Sequence, residues 1–170
     1  MTCFPISIHS QFHYNLGVLL YSVTKGSDMK CEAVFPVADQ INYGIPNLIQ
    51  KQMQMNAVEL NIRAGSRAMD SSDYVTSKSY FNNALVLLPK NHWSNAYECS
   101  LRLFLLLSKA AYACGHAETA YDSLREILNE GRSLEDKLDA YFLYVSVSVT
   151  VWQCFTVPQA RTLPYKRSLR

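Results

Sequence analysis

The sequence predicts an all-α protein made of stacked antiparallel helix pairs, with the stack incomplete at both ends. Three observations lead to this prediction. Residues 73–89 have the pattern of one amphipathic helix that stops at a proline. The buried stripe of this helix returns 43 residues later. Between Pro46 and Pro158 only Pro89 interrupts the chain, so the middle of the protein is compatible with long helices.

Length and composition suit one domain, or a fragment of a larger protein. The 170 residues are 49% hydrophobic and 18% charged, which argues against disorder over most of the chain. The net charge of +2 is too small to indicate a nucleic acid partner, and no expected helix face concentrates Lys and Arg. The eleven tyrosines are interpreted as packing residues because no basic stripe accompanies them.

The first part of the chain is expected to contain three helices. Residues 1–11 are expected to be disordered or frayed, and residues 12–23 to form a short apolar helix. Residues 31–43 again have apolar positions near helical spacing. Gly44 follows, a residue that readily takes the left-handed conformation that closes a helix. A long helix is expected from about 48–69.

A polar run after this helix predicts a helix boundary, formed by Asp70, Ser71, Ser72 and Asp73. Ser71 or Ser72 is expected to cap the next helix by accepting a hydrogen bond from a free amide. Asp73 then lies in the first turn, at the positive end of the helix dipole. A helix start therefore explains both aspartates better than a pair of catalytic carboxylates does.

The helix at 73–89 places one set of residues on a shared face. These residues recur at steps of three and four: Tyr74, Ser77, Phe81, Ala84, Leu85 and Leu88. Ser77 and Ala84 are small, so they let a second helix approach closely. Pro89 ends the run.

Two further helices are expected at 93–114 and 117–130, separated by Gly115. The first is apolar most of the way round, which predicts burial on several sides. The second has one apolar stripe with charged residues outside it. One more helix begins at 134 and is expected to reach 145.

The end of the chain is expected to leave the helical pattern. Residues 145–151 alternate like a strand, and 146–170 is expected to be an irregular tail with a basic end. The most apolar tract, 141–152, is shorter than the roughly 18 to 20 residues that span a bilayer. No membrane partner is therefore expected, and an anchor through 141–157 is the alternative.

A shift of 43 residues turns the helix at 73–89 into half of a repeat unit. The shifted stripe falls on Ala117, Ala120, Leu124, Ile127 and Leu128. Each copy follows a long apolar helix, so the unit is a helix pair, about 48–89 in the first copy and 93–131 in the second. A pair of this kind stacks on neighbours because it cannot bury both faces alone. The helical repeat domain is expected over 12–145, with about two and a half units.

Small, aromatic and proline positions in the first copy resemble the tetratricopeptide motif: Gly65, Tyr74, Ser77, Phe81, Ala84 and Pro89. The second copy keeps three positions: Gly115, Ala120 and Leu124. It has Ile127 where a small residue is usual, and it lacks the proline. Its spacing is longer than the usual repeat of about 34 residues. The resemblance implies a superhelix of stacked pairs that binds other proteins.

An ordered series of short matches over 13–145 is similar to the helical region of very large signalling proteins. The matches include 13–20, 34–44, 59–65 and 111–115. Those proteins join a serine/threonine kinase domain, a regulatory nucleotide-binding ATPase domain and often a sensor with a histidine kinase. Their helical region follows the ATPase. The similarity implies a scaffold role, without the kinase and ATPase chemistry, for the present chain.

The sequence shows no motif for catalysis or for a cofactor. It has no glycine-rich phosphate loop, kinase catalytic loop or GxSxG turn, so we expect neither an enzyme nor a bound cofactor. His9, His13 and Cys3 form a conceivable metal site that lacks a further spaced ligand. His92 and His116 are interpreted as a packing and an exposed residue. The five widely spaced cysteines predict reduced thiols in a cytoplasmic protein.

Two functions are compatible with this pattern. The favoured one is a non-catalytic scaffold that holds a protein partner, or neighbouring domains of a signalling protein, on its helix pairs. The alternative is a stand-alone adaptor that clamps a peptide carboxylate with Lys and Asn side chains. The corresponding positions are Ile62, Ser66 and Met69, which lack such groups.

Overall fold

The computed structural model describes residues 6–24, 33–44 and 51–156, and over these ranges the protein is all-α, without strands. The predicted fold class is therefore confirmed at this level. The helices in chain order are α1 (Ile6–Val23), α2 (Val34–Gly44), α3 (Lys51–Asp70), α4 (Tyr74–Leu87), α5 (His92–Asn95), α6 (Tyr97–Ala113), α7 (Ala117–Glu130) and α8 (Leu134–Thr156).

Three pairs of consecutive helices form the body of the fold: α1 with α2, α3 with α4, and α6 with α7. The pairs are antiparallel. At one end of the second pair, Gln54 Nε2 donates to the Leu87 carbonyl (2.7 Å). At the other end, the Asp73 amide donates to the Ala68 carbonyl (2.9 Å). Successive pairs meet through α2 with α3 and α4 with α6, and α8 packs against α6 and α7.

The first pair extends the expected two and a half units to three pairs and one further helix. Glycines bring α1 and α2 close together. A Cβ atom on Gly17 would lie 2.7 Å from Cγ1 of Ile41, and a Cβ atom on Gly44 would lie 2.5 Å from Cβ of Tyr14. Any side chain at these two positions would push the helices apart, so their spacing depends on glycine.

The 43-residue repeat of the sequence is also a repeat of burial. In α3 the buried positions include Ala57, Leu60, Asn61, Ala64 and Ala68. The positions 43 residues later in α6 are buried too: Ser100, Leu103, Phe104, Leu107 and Ala111. Likewise, the buried Ser77, Tyr80, Phe81 and Ala84 of α4 correspond to the buried Ala120, Ser123, Leu124 and Ile127 of α7. The second and third pairs are therefore two copies of one packing arrangement.

Tyr74 is an exception to the predicted stripe, because its side chain is 37% exposed. Helical side chains lean toward the N-terminus of their helix. Since Tyr74 is the first residue of α4, its ring extends past the helix end. Tyr80 and Leu87, which the stripe does not include, are buried in its place.

The cap of α4 also differs from the expectation. Asp73, rather than Ser71 or Ser72, is the N-cap, and its Oδ1 accepts a hydrogen bond from the Thr76 amide (3.1 Å). This bond lowers the pKa of Asp73. Ser72 instead closes α3 in the left-handed conformation, with φ of 61°, and its amide donates to the Met69 carbonyl (2.8 Å).

The turn between α6 and α7 repeats this geometry. Gly115, 43 residues after Ser72, has φ of 74°, and its amide donates to the Tyr112 carbonyl (2.9 Å). Gly115 is therefore the counterpart of Ser72. Gly65, in contrast, is 43 residues before Ser108, so Gly65 and Gly115 do not have the same place in the two copies.

Ser72→Gly is expected to stabilise the protein by up to about 1 kcal/mol. The left-handed conformation costs a residue with a Cβ atom about 1–2 kcal/mol, and the greater freedom of glycine in the unfolded chain offsets about half of that gain. Urea denaturation measures the change, with Ser71→Gly as the neighbouring control. A lower midpoint for Ser72→Gly than for the natural protein would contradict the assigned turn.

Ala84→Leu is expected to destabilise the protein by about 1–3 kcal/mol, because the side chain of Ala84 is fully buried in the α3–α4 core. Val86→Leu, at a position of the same helix that is 75% exposed, is the control and should change little. Thermal denaturation compares the two variants. An unchanged melting temperature for Ala84→Leu would refute the close packing of this pair.

The two ends of the repeat domain are more helical than expected. Residues 6–11 belong to α1, so their expected fraying was wrong, and 1–5 lie outside the described residues. Residues 146–156 belong to α8, so both the strand-like pattern and the irregular tail were wrong for this part, while 157–170 lie outside the described residues.

Helical geometry explains the apparent strand in α8. Val147 is buried at 1% exposure, whereas Val145 and Val149 are 60% and 50% exposed. The hydroxyl side chains next to these valines donate to carbonyls one turn earlier, for example Ser146 to Phe142 (2.9 Å) and Thr150 to Ser146 (3.0 Å). The alternating apolar and polar residues therefore do not lie on two opposite faces, as they would in a strand. The valines themselves are divided between the buried and the exposed side of the helix. Within the described ranges, no helix is both long and apolar enough to cross a bilayer.

Candidate interaction surface

The last helix, α8, packs against the preceding helices through one narrow stripe of side chains. Ala140, Leu143 and Val147 of α8 join the apolar cluster formed with α6 and α7. Two hydrogen bonds add to this packing: Tyr121 Oη donates to Ser148 Oγ (3.0 Å), and Tyr112 Oη lies 2.9 Å from Thr150 Oγ1. The orientation of α8 around its axis is therefore set by the helices that precede it.

A polar network fixes the start of α8. Ser133 and Asp136 cap the helix reciprocally: the Asp136 amide donates to Ser133 Oγ (3.1 Å), and the Ser133 amide donates to Asp136 Oδ2 (3.0 Å). Tyr97 Oη, at the start of α6, donates to the same carboxylate oxygen (2.7 Å). These bonds lower the pKa of Asp136, with the Tyr97 bond as the largest cause. The Arg132 guanidinium lies 4.0 Å from the centre of the Tyr97 ring.

The opposite side of α8 exposes a continuous row of large apolar side chains. We call this row the α8 apolar face; its residues are Leu134, Leu138, Tyr141, Phe142, Val145 and Val149, which are 46–72% exposed. They follow one another at helical spacing over four turns. Monomeric soluble proteins rarely expose a contiguous apolar patch of this kind unless it binds something.

A comparison of α8 with α6 shows what this face is suited to contact. A shift of 37 residues places Ala140, Leu143 and Val147 on Leu103, Leu106 and Ala110, which α6 packs on the earlier helices. The same shift places the exposed row on residues that α6 turns toward α7. Leu138 corresponds to Leu101 and Tyr141 to Phe104, and both α6 residues pack in the cluster with α7. The α8 apolar face is therefore the equivalent of a face that α6 covers with a partner helix.

The first helix also exposes apolar side chains, at Ile8, Phe12, Leu19 and Val23, which are 57–70% exposed. Asn15 lies between them on the same side of α1 and accepts a hydrogen bond from Gln11 Nε2 (2.8 Å). This polar pair interrupts the apolar row. The N-terminal surface is therefore less continuous than the α8 apolar face.

A second candidate surface is a cleft of about 280 Å³ between α3 and α6. Three arginines line it, Arg63, Arg67 and Arg102, together with Glu59 and Asp70. Arg102 and Glu59 form an ion pair in which both side chains are about half exposed, so the pair stabilises the fold little. The cleft has more positive than negative side chains, which suits an anionic group.

The positions considered for a carboxylate clamp lie at or near this cleft. Ile62 lines it but is only 2% exposed, Ser66 lines it with a hydroxyl, and Met69 packs against the core. The arginines were missed because Arg102 is far from Arg63 and Arg67 in the sequence and only the packing of α6 on α3 joins them.

A third cleft, of about 370 Å³, lies between α2 and α4 and is lined by polar side chains. Two of its lining residues, Tyr80 and Asn42, bind side chains of neighbouring helices. Tyr80 Oη donates to Asp39 Oδ1 (2.7 Å), and burial together with this bond raises the pKa of Tyr80. Asn42 and the fully buried Asn61 exchange amide hydrogen bonds of 2.8 and 2.9 Å. These contacts hold α2 against α3 and α4.

Of the three residues considered for a metal site, the structure describes the two histidines. His9 and His13 lie side by side on α1, with 3.4 Å between their Nε2 atoms, while Cys3 lies outside the described residues. His13 Nδ1 is 2.6 Å from Gln40 Oε1 on α2. Among the residues that the structure describes, no three His, Cys, Asp or Glu side chains are grouped as around a metal ion.

Two other histidines, His92 and His116, contact neighbouring side chains of the fold. His92 Nδ1 lies 2.9 Å from Ser100 Oγ, its ring stacks on Phe104 at 5.8 Å, and burial lowers its pKa. His116 is exposed before α7, 2.9 Å from Lys78 Nζ. Cys99 is a free thiol whose pKa is raised by burial, which disfavours the reactive thiolate.

The described residues form two candidate contact surfaces, the α8 apolar face and the arginine-lined cleft. The α8 apolar face is the larger and the more continuous of the two. Comparison of the chain with protein-family models, with curated proteins and with solved structures finds no match.

Proposed function

We propose that the chain is a non-catalytic helical-repeat scaffold that mediates contacts between proteins or between domains. The observation that carries this proposal is the α8 apolar face. In the same proposal its helix pairs form a tetratricopeptide-type stack, and the chain is a fragment or a relative of a multidomain kinase and ATPase signalling protein of the cytoplasm.

Packing at Gly65 supports the tetratricopeptide-type stack. A Cβ atom on Gly65 would lie 2.5 Å from Cε1 of Phe81, so the aromatic ring rests directly on the glycine backbone. Ser77 and Ala84, the small residues on either side of Phe81, are fully buried. Leu88, the residue before Pro89, has an extended backbone that ends α4. These are the positions on which the resemblance rests.

The scaffold role follows from the cost of leaving the α8 apolar face in water. Each large apolar side chain gains about 1.5–3 kcal/mol when it is fully buried. Six such side chains are partly exposed on this face, so covering them is a driving force for binding that offsets the loss of translational freedom. A protein surface with matching apolar side chains would obtain that gain.

Co-purification from cells of the native host tests the proposal. We would compare the natural chain with Leu138→Lys/Val145→Lys, which places two charges on the α8 apolar face. The matched control is Val75→Lys/Val86→Lys, at two exposed positions of α4 (71% and 75%). We expect the natural chain and the control to retain the same bound protein and the α8 variant to lose it.

Two results would contradict the scaffold proposal. One is a set of bound proteins that is the same for the α8 variant and the control. The other is ATP hydrolysis or kinase activity that follows the purified chain through every column above a buffer blank.

The adaptor alternative is favoured by the arginine cleft. Arginine side chains bind carboxylates and phosphates through two parallel hydrogen bonds. If the cleft binds an acidic peptide, Arg67→Gln and Arg102→Gln should weaken binding of a poly-glutamate peptide by roughly tenfold each. Arg125→Gln, on the exposed surface of α7, is the control. Equal affinity for all four proteins would exclude the adaptor function.

A further inference from the structure

We infer that the partner of the α8 apolar face is a second copy of this chain, with the two α8 helices packed antiparallel about a twofold axis. This inference rests on the proposed function, since it names the protein that the scaffold surface binds. Three properties of the face support it: its area, the position of its charges and its continuity.

The area of the face matches what a stable dimer requires. Its six large side chains expose on the order of 100 Å² each, or about 600 Å² per copy. Two copies would therefore bury about 1,200 Å², at the lower end of the range of about 1,200–2,000 Å² for specific interfaces.

The distribution of charge favours self-pairing and sets its direction. Residues 140–150 contain no charged side chain, whereas the first two turns of α8 contain three acidic residues, Glu135, Asp136 and Asp139, and one basic residue, Lys137. A parallel pair would place the two acidic ends side by side, and like charges at that distance repel. In an antiparallel pair the acidic end of each helix lies beside the uncharged end of the other.

Continuity distinguishes the α8 apolar face from the exposed side of α1. The row on α8 has no polar interruption on the stripe Leu134, Leu138, Tyr141, Val145 and Val149, whereas Asn15 interrupts the row on α1. Pairing of α8 with α8 uses the same patch on both copies, so the assembly closes at two chains. Pairing of α8 with α1 would be head-to-tail and would form a ring or an open filament rather than a closed pair.

Light scattering on the eluting protein, across a dilution series in the micromolar range, tests the inference. We expect the natural chain to have twice the mass of one chain. Phe142→Glu and Val145→Glu, at positions that are 67% and 60% exposed, should raise the dimer dissociation constant by at least about tenfold. Val86→Glu on α4 is the matched control and should remain dimeric. Circular dichroism checks that each variant is folded, and either α8 variant suffices if the other does not fold.

The direction of pairing has its own test. In an antiparallel pair, position 134 of one copy lies near position 149 of the other. Leu134→Lys and Val149→Glu should each weaken the dimer, and the double variant should recover part of the affinity because Lys and Glu then face each other. A double variant weaker than both single variants would show that the helices do not pair in this way.

Three outcomes would overturn the inference: a single-chain mass at all concentrations, a dimer that both Glu variants leave intact, or a mass that keeps rising with concentration. If the chain is a monomer and its co-purified protein is lost when Leu138 and Val145 are substituted, the dimer is excluded and the scaffold proposal still holds. A monomer without such a protein would remove both.

Discussion

Phe81→Ala is expected to lower the free energy of unfolding by about 3–5 kcal/mol. The ring is fully buried in the core shared by α3 and α4 and rests on Gly65. Its removal leaves a cavity that the short turn between the two helices prevents from closing. Because domains of this size have a total stability of about 5–15 kcal/mol, the variant should lie close to the limit of folding. The melting temperature should fall by roughly 10 °C or more.

Two comparisons make this prediction specific. Phe12→Ala removes the same atoms from a side chain that is 62% exposed on α1, and it should cost less than about 1 kcal/mol. Leu124→Ala, at the equivalent buried position of the next pair, should cost about 2–5 kcal/mol. Similar losses for Phe81→Ala and Phe12→Ala in chemical denaturation would contradict the predicted core.

Gly65→Leu is the second substitution with a large expected effect, a loss of about 3 kcal/mol. A Cβ atom at this position would come within 2.5–2.9 Å of three atoms of the Phe81 ring, and that ring has no free space because it is fully buried. Leucine stabilises a helix relative to glycine by almost 1 kcal/mol. The destabilisation from overpacking must exceed this gain for the variant to be less stable than the natural protein.

Controls separate the clash from helix propensity. Asn56→Leu, at an exposed position of the same helix, should leave stability within about 0.5 kcal/mol of the natural protein. The double variant Gly65→Leu/Phe81→Ala should be more stable than the sum of the single losses predicts, because the leucine fills the space of the missing ring. Strict additivity in urea denaturation would show that the two residues do not touch.

The repeat could be predicted from the sequence because it depends on local patterns. Spacing of three and four residues identified the helices, and the 43-residue shift matched buried positions such as Phe81 with Leu124 before any contact was known. Helix ends were predicted to within a few residues wherever Gly or Pro marks them, as at Gly44 and Pro89. The all-α class and the second and third helix pairs follow from these patterns.

Features that depend on contacts between distant segments were not predicted. The arginine cleft joins Arg67 of α3 with Arg102 of α6, and the amide pair joins Asn42 of α2 with Asn61 of α3. The sequence of α8 resembled a strand because apolar and polar residues alternate in it. Which of these residues are buried depends on the packing of α8 against α6 and α7. Sequence patterns also could not separate Ser72 from Asp73 at a turn where both are compatible with a cap.

Site-specific photo-crosslinking in cells tests the central claim most directly. A photoreactive amino acid at position 142 samples the α8 apolar face, and the same group at position 86 samples an equally exposed site on α4. We predict a covalent adduct with a protein of discrete mass at position 142 and none at position 86. The absence of an adduct at 142, or the same adduct at both positions, would contradict the role of this face as the contact surface of a scaffold.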